Sequence, residues 1–181
     1  RVLFRSSGSM GQQEKDLAKR FFFFLHMFLH RKYEKVQIVF IRHHEEAKEC
    51  DENEFFNSRE SGGTKVSTAV ELAKKIIDDR YNINDWNIYV AQVSDGDNFE
   101  YDVGAHAIAA KALVPLTQYF AYLEVKQSYV GWDQLTATEV WKVYRELVKE
   151  FPNMQIRKAR QIQDIWQVFK DLFTKKVKAK V

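Results

Sequence analysis

The sequence predicts an α/β fold, a doubly wound, mostly parallel six-stranded sheet with helices on both faces. Three observations carry that expectation. Short β-rich runs alternate along the chain with longer segments whose apolar residues recur at helical spacing, a pattern that calls for parallel strands joined by crossover helices. The runs at residues 36–41 (VQIVFI) and 87–93 (NIYVAQV) are nearly continuous in apolar character, as in strands covered on both faces. Polar loops rich in Gly, Ser and Asp stand where strands should hand over to helices, and open sheets of this class bind ligands at such carboxyl ends. With 181 residues, 45% apolar, and two prolines, the chain reads as one domain over 1–181 with room for a proper core.

Taken in order, Val2, Leu3 and Phe4 open a strand that is expected at the centre of the sheet, followed by the loop Arg5-Ser6-Ser7-Gly8-Ser9-Met10-Gly11. Residues 12–32 form an amphipathic helix whose stripe is Leu17, Ala18, Phe21, Phe24, Leu25, Phe28 and Leu29. Phe22, Phe23 and Met27 fall outside that stripe and either meet a neighbouring helix or form an exposed patch. A strand over 36–41 is followed, after a turn near His44 and Glu45, by a short strand at 47–50 that pairs antiparallel at the edge. Ser61-Gly62-Gly63-Thr64 precedes a helix facing inward with Val66, Ala69, Val70, Ala73, Ile76 and Ile77. The strand at 87–93 ends in Ser94-Asp95-Gly96-Asp97-Asn98. A helix over 103–113 and a strand over 119–125 come next. Thr136 and Glu139 have capping-box spacing, opening a helix that Phe151-Pro152 stops and whose inward face is Val140, Trp141, Tyr144, Leu147 and Val148. A short strand near 154–156 leads to a last helix with Ile162, Ile165, Trp166, Phe169, Leu172 and Phe173 inside.

Hydroxyls two apart at Ser7 and Ser9, between permissive glycines, make a corner able to hold a phosphate or a metal ion. The phosphate-loop pattern is absent, since no Lys follows Gly11. Thr64 and Asp95 come from two other loops that the expected topology brings to the same edge, and four oxygen ligands suit a hard cation such as Mg²⁺.

Ser7-Gly8-Ser9, Gly62-Gly63-Thr64 and Ser94-Asp95-Gly96 resemble the three parts of the metal-ion-dependent adhesion site of von Willebrand factor A domains. Along nearly the whole chain, SGSMGQQEKDLAKRFF, VFIRHHEEAKE, ESGGTKVSTAVELA and AQVSDGDN are similar to the bacterial YeaH/YhbH family. The resemblance implies a von Willebrand factor A-like, Rossmann-like domain, isolated from an N-terminal region that family members carry, and the single cysteine, Cys50, which cannot form an internal disulfide, fits a cytoplasmic location. It implies that Ser7 and Ser9 bind Mg²⁺ directly, that Thr64 and Asp95 bind it directly or through water, and that a partner protein's carboxylate completes the shell. A serine protein kinase encoded by a common gene neighbour is one candidate partner. The family pattern begins Asp-x-Ser-x-Ser, whereas this chain has Arg5 at the Asp position. Arg5 is either a natural departure or, with the rest of residues 1–5, a remnant of a cloning vector. At about 4 Å and an effective dielectric of about 20, unit like charges repel by about 4 kcal/mol, so this chain is expected to lack the divalent ion.

Other chemistries find less support. No serine has a nucleophile-elbow setting and no acid–base pair stands out, so no catalytic residue is assigned and the expected role is binding, with a phosphate-binding or hydrolytic domain as the alternative. His43 and His44 lack further ligands at zinc spacing, and Cys50 reads as a strand residue. His106 and His30 are expected to pack on helices or lie at the surface. Asp97, Glu100 and Asp102 form either a solvated loop or an acidic rim to the cation site. The apolar run at 21–29 is too short to span a bilayer and is flanked by Lys19, Arg20, Arg31 and Lys32. The net charge of +3 comes largely from a basic tail at 175–181, and the tryptophans are scattered, so nucleic acid is not an expected partner.

Overall fold

The computed structural model describes residues 2–7, 10–43, 45–57, 64–126 and 137–173, the first of these groups by backbone alone. Strand β1 (Val2–Ser7) leads into α1 (Gln12–Lys32), then β2 (Ile38–His43), β3 (Ala47–Cys50), α2 (Glu52–Asn57) and α3 (Val66–Arg80). Strand β4 (Tyr89–Ser94), α4 (Val103–Leu113), β5 (Tyr119–Val125), α5 (Glu139–Glu150), β6 (Met154–Ala159) and α6 (Ile162–Phe173) complete the order. The strands lie in the sequence β3-β2-β1-β4-β5-β6. Every pairing is parallel except β2 with β3, which is antiparallel and forms the edge expected at residues 47–50. Strand β1 sits between β2 and β4, so strand order reverses there, the point at whose carboxyl ends open sheets of this class bind ligands.

Helices cover both faces. On one, Phe21, Phe22 and Leu25 of α1, Phe55 of α2 and Ile165, Phe169 and Leu172 of α6 pack on Phe40, Val93, Ala121 and Leu123. On the other, Val66, Val70 and Ile77 of α3, Leu113 of α4 and Val140, Tyr144 and Leu147 of α5 pack on Ile41, Val90, Phe120 and Tyr122. Each core draws on residues of alternate parity within β2, β4 and β5, because successive side chains leave a strand on opposite faces.

Several expectations shift. The buried stripe of α1 includes Phe22, set edge-on to Phe55 at 5.2 Å, whereas Phe24 and Phe28 are only partly covered. The sequence reading contains no helix α2, and it is this element that draws Phe22 inward. Phe23 and Met27 remain 61% and 55% exposed. Strand β2 begins at Ile38 and runs to His43, two residues later than expected at each end, and β6 is longer than the 154–156 run. In α6, Ile162 and Trp166 are half-exposed, not inward. The cap of α5 is Thr138, whose Oγ1 accepts a hydrogen bond from Trp141 N at 3.3 Å, and Thr136 lies outside the described residues. Among the described residues no helix is long and apolar enough to cross a membrane.

Candidate functional site

The carboxyl end of β4 is built around Gly96. Its φ of +87° lies in the left-handed region, and a Cβ there would collide with Thr138 Oγ1 and come within 2.5 Å of Glu124 Oε2. The turn is pinned on both sides: Gly96 N donates to Ser94 Oγ at 3.2 Å, and Gly96 O accepts from Val140 N at 3.2 Å in the first turn of α5. Asp95 is held here, 8% exposed, with Asp97 N directed at its Oδ1 from 3.4 Å.

Beneath the turn runs a buried polar network. Ser94 Oγ lies 3.1 Å from the Tyr122 hydroxyl, Thr138 Oγ1 donates to Glu124 Oε2 at 2.5 Å, and Lys158 Nζ pairs with Glu124 Oε1 at 2.7 Å. Lys158 also stands 4.3 Å from the centre of the Trp141 ring. Burial, and then the charge of Glu124, hold the Tyr122 hydroxyl well above the ordinary tyrosine range, so it stays protonated as a donor.

Thr64 reaches this edge by a route different from the one expected. It follows α2 rather than the end of a strand, yet Phe99 N donates to Thr64 O at 3.2 Å and clamps it against the loop after β4. The same loop caps α3: Asn98 Oδ1 accepts from Val66 N at 3.2 Å, and Asp102 Oδ2 accepts from Ser67 N at 2.9 Å while its Oδ1 takes the Ser67 hydroxyl. Asp102 is 1% exposed, so it belongs to a helix cap and not to an acidic rim. Asp97 and Glu100 are exposed.

Thr64 and Asp95, 7% and 8% exposed, are thus held by one loop cluster although they are distant in sequence. A cleft of about 560 Å³ opens beside it, lined by Thr64, Asp97, Asn98, Phe99, Thr138 and the lysines Lys126 and Lys142 among others. Lys126 pairs with Asp97 at 3.6 Å and Lys142 with Glu139 at 2.6 Å. Ser7 ends β1 in register with His43, and Arg5 is in register with Ile41 on β2 and Gln92 on β4. Ser9, Gly62 and Gly63 lie outside the described residues.

The described donors are a threonine hydroxyl and a carboxylate, with a serine at the end of β1, and this all-oxygen chemistry fits a hard cation. The arginine in β1 does not fit it. Among the described residues no group of three or more His, Cys, Asp and Glu is placed to hold a metal. His43 is buried and His44 lies outside the described residues. His106 is fully buried against Tyr144, ring centres 4.8 Å apart, whereas His30 is exposed and stacks on His26. Sequence reasoning missed Glu124, Thr138, Lys158 and Gln92, because a polar residue inside an apolar strand or beside a loop carries no periodic signal.

The chain is 46% identical over 171 residues to a UPF0229 protein of Legionella pneumophila (strain Corby), covering 94% of the chain and 39% of that relative. It is 48% identical over 173 residues to a UPF0229 protein of Mesorhizobium japonicum, covering 93% and 40%. The chain therefore spans about two fifths of the length of these curated relatives. In fold it is similar to the manganese-loaded Plasmodium vivax TRAP protein, with a TM-score of 0.63 at 13% identity over 94% of this chain and 72% of that one. It is also similar to proximal thread matrix protein 1 of the mussel byssus with a zinc-occupied MIDAS motif, with a TM-score of 0.58 at 11% identity over 94% and 44%. These likenesses support a von Willebrand factor A-like fold and nothing finer. The family described as "Protein of unknown function (DUF444)" matches residues 2–176, and the chain belongs to this DUF444/UPF0229 family, of the YeaH/YhbH type that its motifs resemble.

Proposed function

We propose that this domain is a protein-interaction module. Its docking edge is the crevice where strand order reverses, and in a chain with aspartate at position 5 the contact runs through Mg²⁺ held by Ser7, Ser9, Thr64 and Asp95. The observation that carries the reading is the clamp on Thr64: Phe99 N to Thr64 O, with Asn98 on Val66, sets a buried hydroxyl beside the loop of buried Asp95 next to an open cleft. That is expensive architecture for a mere turn, since each buried polar group must be satisfied. The structural neighbours described as manganese-loaded and as carrying a zinc-occupied MIDAS motif support the cation in the reading. A partner carboxylate supplies the ligand the protein leaves out, because Mg²⁺ takes few protein ligands and keeps open positions.

The test compares the chain with its Arg5→Asp variant by calorimetric titration with Mg²⁺, followed by capture of partners from bacterial lysate in Mg²⁺ or chelator. The expected result is Mg²⁺ binding and chelator-sensitive capture by the Arg5→Asp form, and neither by the chain with Arg5. No Mg²⁺ binding by either form, or capture indifferent to chelator, would overturn the cation-dependent reading, and tight binding by the Arg5 chain would show that the charge in β1 does not exclude the ion. Turnover of a phosphate ester abolished by Asp95→Ala would replace it with the hydrolytic alternative, for which Lys126 and Lys142 in the cleft supply cationic groups.

A further inference from the structure

Helix α1 has an outer face that the core does not use. Lys19, Phe23 and Met27 are spaced four apart, so they lie on one side of the helix, and both apolar members are more than half exposed. The Phe23 ring stands 6.2 Å from that of Phe24, which stands 5.4 Å from the half-exposed Trp166 of α6. Beside this face an open groove of about 620 Å³ lies between α1 and α2, with Phe22, Phe23, Phe24 and Phe56 in its lining. Contiguous apolar surface of this kind is uncommon on soluble domains and marks a contact surface.

Charge selects the occupant. Residues 17–32 of α1 include Lys19, Arg20, Arg31 and Lys32 and no Asp or Glu. Lys19 and Arg20 line the groove, and neither has an ion-pair partner among the described residues. Asp16, one turn earlier, accepts from Gln12 instead. By contrast Lys74, Lys111 and Lys149 on other helices each meet a carboxylate. The carboxylate in the groove lining is Glu52, at the start of α2. A second copy docked through this face would set basic helix against basic helix. A bilayer would not enter a recess between two helices, and Glu52 would be pressed against its anionic headgroups. The α1 wall is the middle of a helix whose backbone bonds are internal, so it offers side chains and no free strand edge. An occupant must therefore satisfy its own backbone, as an amphipathic helix laid in a groove does.

We propose that the groove between α1 and α2 binds a short acidic amphipathic helix of a partner protein. The helix seats a bulky apolar side chain against Phe23 and Phe56 and, one turn away, sets a carboxylate against Lys19 and Arg20. This surface belongs to the sheet face covered by α1, α2 and α6 and involves neither Mg²⁺ nor residue 5, so it stands or falls apart from the cation-dependent reading.

The experiment selects peptides from a random library displayed on phage against the full 181-residue chain in chelator, then measures a synthetic peptide of the most enriched sequence by fluorescence anisotropy. The variants are Phe23→Ala and the double reversal Lys19→Glu with Arg20→Glu, surface changes whose folding is checked by circular dichroism and urea midpoint. Enriched peptides that carry acidic residues at helical spacing to Leu, Phe or Trp, and that bind each variant about tenfold or more weakly, support the proposal. The same peptide with its acidic residues replaced by Lys should regain affinity for the double reversal. No enrichment, enriched peptides without acid, or binding indifferent to both variants overturns it. Flotation with phosphatidylserine vesicles and sedimentation at rising concentration cover the other occupants. Vesicle binding or dimerisation that Phe23→Ala abolishes, with no acidic peptide enriched, overturns the proposal in favour of a membrane or a second copy.

Discussion

Phe21 and Phe24 are neighbours on one helix with different energetic roles. Phe21 is fully buried, with Phe169 edge-on at 6.3 Å, whereas Phe24 lies in the partly covered margin beside the exposed Trp166 ring. Phe21→Ala is therefore expected to cost about 3–5 kcal/mol and Phe24→Ala clearly less, measured by urea denaturation. Equal losses would mean that the margin between α1 and α6 is as tightly closed as the core. Cys50 gives a pH prediction. Burial, then the charge of Glu54, push its thiol up to about 11 from 9.0, so the folded state holds the proton more tightly than the unfolded chain. Stability from this group is intact below about pH 9 and is lost as pH rises from there through about 11. Iodoacetamide labelling of the folded chain at pH 8 should accordingly be far slower than labelling in urea, and equal rates would show a reactive thiolate.

At the scale of elements, α3 is started by residues far away in sequence. Its N-cap residue Lys65 provides no side-chain cap, and the first-turn N–H groups are met instead by Asn98 and Asp102 across the loop after β4. Asp102→Ala removes an acceptor for both Ser67 N and the Ser67 hydroxyl, which should lower stability by about 1–3 kcal/mol. Hydrogen exchange is the decisive measurement, with Val66 and Ser67 amides expected to lose protection before those of the helix centre. Uniform protection loss would show that Asp102 supports the whole fold and not this end. Because Thr64 is bonded to the same loop, the variant also loosens the candidate cation site. The sequence pointed to the wrong threonine for the α5 cap, Thr136 with Glu139 in place of Thr138, and gave no sign of the α3 cap, whose acceptor is 35 residues away.

For the molecule as a whole, a ligand that binds only the folded state stabilises it by mass action, about 2.7 kcal/mol at a hundredfold excess over Kd. The Arg5→Asp chain should thus melt at higher temperature in millimolar Mg²⁺ than in chelator, while the Arg5 chain melts alike in both. A Mg²⁺-dependent rise in the Arg5 chain would show that the charge in β1 does not exclude the ion. The network Ser94–Tyr122–Glu124–Thr138, with Lys158, ties β4, β5, β6 and α5 together beneath the site, so the melting transition and the site geometry are expected to be lost together.

Periodicity was enough to read the α/β alternation, the extent of α1, the inward face of α3 and the antiparallel edge at residues 47–50, because apolar spacing is a local record of which face is covered. The Ser-Asp-Gly turn after β4 was legible for a related reason, since a hydroxyl, a carboxylate and a glycine cluster visibly where the backbone must turn. Tertiary contact alone decided the rest. Helix α2 carries too few residues to show a period, and it moved Phe22 into the core and left Phe24 at its margin. Thr64 was joined to the loop after β4 by a backbone bond from Phe99. Such choices turn on which distant group satisfies a buried donor or fills a space, and a hydrogen bond between residues dozens apart leaves no trace in local spacing.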